Sequence, residues 1–106
     1  MVMEPSGTTH VELGVSHRYA QAHPWVVNAV TGWLSAYYME DPRFHVSRRY
    51  DELETGMHVW LCELEEGVLM PRLIKRLQAD IPPYRVHEAS TSTSGHHRYV
   101  IDLPEP

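Results

Sequence analysis

The sequence predicts an α+β domain, with two helices packed on one face of a mostly antiparallel sheet. Three observations predict it. Residues 10–17, 43–67 and 84–104 contain runs in which apolar and polar side chains alternate, the period of a strand with one wet face. Two longer runs, 22–42 and 67–83, place their apolar residues at helical spacing. The resulting order is strand, helix, strand, strand, helix, strand, strand. It fits the ferredoxin-like split βαβ plan with an extra C-terminal hairpin.

Each element has its own local reason. Residues 1–9 include Pro5-Ser6-Gly7 and show no periodicity, so a flexible leader is expected ahead of a single domain at 10–106. In the first strand Val11, Leu13 and Val15 point one way, and His10, Glu12 and Gly14 the other. In the first helix Trp25, Val26, Ala29, Val30, Trp33, Leu34 and Tyr37 form one apolar stripe. Pro24 suits its start, where a missing N–H costs nothing, and Glu40-Asp41-Pro42 marks its end. Gly32 inside it costs about 1 kcal/mol relative to alanine, and a close approach by a strand or partner is the expected reason.

The next run reads as a hairpin. Phe44, Val46, Arg48 and Tyr50 alternate with His45, Ser47, Arg49 and Asp51, and Glu54-Thr55-Gly56 makes the turn. Met57, Val59 and Leu61 alternate with His58, Trp60 and Cys62, so this strand is apolar on both sides and expected to be central. Leu69, Leu73 and Leu77, with Met70, Ile74 and Ile81, build the second helix. Pro71 belongs in its first turn and Pro82-Pro83 stops it. A last hairpin has a polar tip at Ser90 to Gly95, after which Tyr99, Ile101 and Leu103 alternate with Arg98, Val100 and Asp102.

Composition narrows the function classes. At 106 residues and 42% hydrophobic content, the chain supports one core. No apolar run is long enough to span a bilayer, and the N-terminus lacks the basic and apolar regions of a signal peptide. The single thiol, Cys62, fits a reducing compartment, so a cytoplasmic protein is expected. A formal net charge of −5 disfavours non-specific binding to phosphate backbones.

Eight histidines raise the question of a metal. A zinc site needs three or four ligands converging on one point, and no H-x-H, H-E-x-x-H or C-x-x-C is present. His96 and His97 are adjacent, and neighbouring strand residues face opposite ways. A cross-strand pairing of His87 with His96 or His97 is the metal arrangement this spacing allows. Decoration of a wet hairpin is the plainer reading, and neither metal nor cofactor is expected. Cys62 reads as a small buried hydrophobe, the runs Asp51–Glu54 and Glu63–Glu66 as solvated carboxylates, and the Ser/Thr tip lacks a nucleophile setting.

What remains points to association. Arg43, Arg48 and Arg49 beside Tyr50 form the one cationic cluster, and Tyr37-Tyr38-Met39 closes the first helix. Arginine and the large aromatics are favoured at protein interfaces, so Tyr38, Arg48, Arg49, Tyr50 and Trp60 are the expected interface residues. In element order alone the chain loosely resembles small subunits of phage tails and necks, whose sheets join into rings, and small acidic inhibitors that occupy basic grooves. That resemblance implies a viral assembly component, in a virion, or an inhibitor. The expectation is a non-enzymatic protein that self-associates or docks on a larger complex, with no membrane partner. Two alternatives stand beside it. One is a small dimeric α+β barrel enzyme or metalloprotein using His45, His58 and His87. The other is a nucleic-acid-binding module, although the run Met57–Leu64 has Trp60 but neither the glycine nor the cation of RNA-recognition strands.

Overall fold

The computed structural model describes residues 9–81, 84–89 and 96–102. Along them run β1 (Thr9–Ser16), α1 (His17–Ala22), α2 (Trp25–Glu40), β2 (Phe44–Glu52), β3 (Met57–Leu64), α3 (Met70–Asp80), β4 (Arg85–Ala89) and β5 (His97–Asp102). The five strands form one mixed sheet in the order β2-β3-β1-β5-β4. Three of its pairings are antiparallel, and β1 runs parallel to β5. The C-terminal hairpin is therefore part of the main sheet, with β5 inserted between β1 and β4. Thr9, expected in the leader, begins β1 instead; residues 1–8, Pro82-Pro83, the tip 90–95 and Leu103 lie outside the described residues.

Register decides which side chains share a face. Val11, Leu13 and Val15 of β1 stand opposite Cys62, Trp60 and His58 of β3, and Leu13 opposite Tyr99 of β5. Apart from His58, these residues, with Phe44, Val86 and Ile101, meet Val26, Val30, Trp33 and Leu34 of α2 and Met70, Leu73, Ile74 and Leu77 of α3 in one core. Both main helices thus cover the same face. Trp33 Nε1 donates to Asp80 Oδ2 at 2.8 Å, and Arg76 makes a two-pronged contact with Glu40 at 3.0 Å. These bonds tie α2 to α3 at the rim of the apolar packing.

Local chemistry explains the departures from the expected elements. The short α1 forms because Ser16, at the end of β1, accepts the Tyr19 N–H at 2.9 Å and caps a turn that periodicity does not reveal. Ser47 is the extra residue of a bulge, since Val46 faces Cys62 while Arg48 faces Leu61. The bulge reverses the phase of β2, so Arg48 and Tyr50 turn away from the face that holds Phe44 and Val46. Gly32 is exposed, and a methyl group there would meet nothing within 4 Å, so no close approach accounts for it. Trp25 and Leu69, both at helix starts, are exposed rather than packed in their stripes. No helix among the described residues is long and apolar enough to cross a membrane.

Candidate partner-binding face

The bulge splits the expected interface residues into two groups. Arg48 and Tyr50 lie on the face of the sheet away from α2 and α3, with the Arg48 guanidinium 5.1 Å from the Tyr50 ring centre. Arg49 and Trp60 lie on the helix side, stacked at 5.4 Å, together with Tyr38 from the last turns of α2. The second group lines a concave surface.

On the first face, β1 and β5 place Glu12 opposite Arg98. Arg98 Nε donates to Glu12 Oε1 at 3.1 Å, and its terminal nitrogens donate to the two Glu52 oxygens at 2.7 and 2.8 Å. Tyr50 Oη donates to Glu12 Oε2 at 2.9 Å. Gly14 leaves room for Met57, whose sulfur lies 3.5 Å from Arg98. Glu12 and Arg98 are only 1% and 4% exposed. The hydrogen bonds from Arg98, and then from Thr55, hold the Glu52 carboxyl down at about 2. Burial, and then the bond to Glu12, push the Tyr50 phenol upward. Both oxygens of Glu12 are engaged, so the group is built as a closed clamp. A carboxylate in that setting joins strands and is badly placed to take a proton from a substrate.

The histidines expected from the sequence as metal ligands do not converge on one point. His87 Nε2 lies 2.9 Å from Asp102 Oδ2, and His97 Nδ1 lies 3.0 Å from Glu88 Oε2. His96 stacks on His10 at 5.6 Å, with its Nδ1 3.7 Å from Glu12. Because His87 stands opposite Val100, the cross-strand pairing of His87 with His96 or His97 does not form. His45 lies 3.6 Å from Glu63, and His58 2.7 Å from Asp51, at opposite ends of the β2–β3 ladder. Cys62 is buried, and desolvation pushes its thiol up to about 12, so it is no nucleophile.

The concave surface is a groove of about 660 Å³ between the second half of α2 and the sheet edge at β2. Leu34, Tyr38 and Met39 form one wall, Val46 and Arg49 the other, and Trp60 lies at the base. Trp60 is 2% exposed, so it contributes a covered floor rather than a protruding anchor. Its Nε1 is covered and makes no hydrogen bond among the described residues. Tyr38 and Met39, by contrast, are 47% and 83% exposed, side by side at the lip. Met39 and Tyr38 end the apolar stripe of α2 in the sequence. The opposing wall has no such signal, because the bulge decides which β2 residues turn toward it. No family model, curated protein or solved structure matches the chain, which leaves the geometry of this face as the ground for a function.

Proposed function

We propose that this protein is a non-enzymatic association subunit, joining a second copy of itself or a larger complex through the α2–β2 face. The observation that supports it most is the apolar lip: two large side chains, Tyr38 and Met39, stand exposed beside a groove with a tryptophan floor. An isolated exposed apolar residue needs no explanation, but a rimmed concave patch marks an interaction surface. Arg49 at the opposite wall adds a cation for a partner's carboxylate. The edge position of β2 leaves backbone groups open to another strand, and the Ser47 bulge limits how far such pairing runs.

The same reading extends to the fold. The β1-to-β2 connection passes through α2 with β3 between its strands, which we take as the split βαβ order of ferredoxin-like domains. The lone, buried Cys62 is consistent with a cytoplasmic setting.

Light scattering coupled to gel filtration tests the proposal. The wild-type chain is expected above monomer mass at micromolar concentration. Met39→Glu and Tyr38→Asp are expected to give monomers with the melting temperature within about 2–4 °C of wild type, since exposed substitutions change stability little. A wild-type chain that stays monomeric, with the same mass as both variants, overturns self-association through this face, and a failure of both variants to change what co-purifies with the chain overturns docking on a larger complex.

A further inference from the structure

A second arrangement, at the hairpin end of the sheet, is independent of the groove. Asp51 of β2 and His58 of β3 are register partners, so their side chains leave the same face side by side. His58 is also the register partner of Val15, and β1 ends one residue later. The chain then turns into α1, whose first residue is His17. Two bonds fix that turn: the Ser16 cap on Tyr19, and the His17 N–H donating to the Gly56 carbonyl at 2.7 Å. Three separate elements therefore deliver two imidazoles and a carboxylate to one point.

Their spacing is that of a ligand set. His58 Nδ1 is 2.7 Å from Asp51 Oδ1, and His17 Nε2 is 3.7 Å from the same oxygen. The two rings meet edge to face at 4.3 Å, and one donor atom from each of the three residues lies within 4.8 Å of the others. Donors bound about 2.0–2.1 Å from a tetrahedral ion stand about 3.3 Å apart, between the two measured separations. His17 Nε2 supplies a further sign. It is covered and makes no hydrogen bond among the described residues, although it points toward the carboxylate. A buried ring nitrogen that lacks a hydrogen-bond partner calls for an explanation, and coordination provides one.

We propose that His17, Asp51 and His58 form a binding site for one divalent transition-metal ion. Two nitrogens and one oxygen suit Zn²⁺, and also Co²⁺ and Ni²⁺, better than Ca²⁺ or Mg²⁺, which take all-oxygen sets. With three protein donors, and the Asp51 side chain 59% exposed, a fourth position faces solvent. Water or a donor from a partner chain fills it. The site does not depend on the association face, because it shares no residue with the groove.

The test uses the full chain, stripped with a chelator and titrated with Zn²⁺ by calorimetry, then with Co²⁺ followed by visible absorption. The expected result is saturable binding of one ion per chain, with the d–d bands of a four-coordinate nitrogen and oxygen set. His17→Gln and Asp51→Asn are each expected to weaken binding at least about tenfold. His87→Gln and His97→Gln, which change imidazoles held by other acids, are expected to leave it unchanged. If His17→Gln unfolds the chain, Asp51→Asn carries the test, since its side chain is largely exposed. Binding that is non-saturable, or equal in wild type and Asp51→Asn, overturns the proposal and assigns the zinc to scattered surface histidines.

Discussion

The face of the sheet under α2 and α3 and the face that carries Glu12 are both closed to solvent at their centres, but by opposite means. Under the helices, Leu13, Val15, Trp60 and Leu77 are buried among other apolar side chains, and an apolar residue of similar volume and shape largely preserves the contact. On the other face an arginine binds two glutamates from different strands, and a tyrosine closes the set. The apolar face specifies only that residues be hydrophobic and fit. The charged face specifies partners, because a guanidinium shifted by one register position meets the wrong side chain. The first supplies most of the driving force for folding, while the second selects the pairing of β1 with β5.

That contrast can be tested by removing one charge or by replacing the buried Glu12–Arg98 pair with apolar residues. Arg98→Ala is expected to destabilise the fold by about 3–5 kcal/mol in urea denaturation, since it withdraws the cation shared by Glu12 and Glu52. Glu12→Leu combined with Arg98→Met is expected to regain most of that loss, because apolar residues of similar volume can replace a buried ion pair. A double variant as unstable as the single one would show that the two faces are not interchangeable in this way.

A smaller effect follows from pH. The folded value for Glu52, about 2, lies below its ordinary 4.5. Its contribution to stability is therefore full above pH 4.5 and lost as pH falls toward 2. The loss is on the order of 2 kcal/mol. Glu52→Gln is expected to flatten that part of the stability profile, measured as the difference from wild type between about pH 5 and about pH 2.

The smallest effect belongs to the outer surface of α2. Gly32→Ala has open space and is expected to raise stability by about 0.5–1 kcal/mol, seen as a higher melting temperature. An unchanged or lower melting temperature would mean that the exposed side of α2 is constrained by something other than helix propensity.

The same contrast explains what could be read from the chain. Apolar periodicity is local, so the stripe from Val26 to Tyr37, the Pro71 helix start and the turn at Gly56 were legible without coordinates. The three-helix count was not, because α1 rests on a single serine cap. The bulge at Ser47 adds no residue type that distinguishes it from regular alternation, yet it sends Tyr50 to one face and Arg49 to the other. Tyr38, Arg48, Arg49, Tyr50 and Trp60 therefore read as one set from the sequence, and only the register divides Arg48 and Tyr50 from Arg49 and Trp60. Glu12 and Arg98 are 86 positions apart, and His17 is far in sequence from Asp51 and His58. No spacing rule joins such residues, since their meeting depends on strand order rather than on period. Glu12 between Val11 and Leu13 reads as part of a wet face, and its burial follows only from the strands that assemble around it.

The placement of β5 beside β1 also has a consequence during synthesis. A ribosome releases the chain from the N-terminus, so β1, β2 and β3 can assemble while β5 is still being made. The side of β1 that later meets β5 is then an open strand margin, available to any extended segment nearby. Its native neighbour arrives only after residues 97–100 have emerged. Closing so long a span delays this step relative to the local hairpin, and leaves the nascent chain vulnerable to mispairing until β5 has emerged.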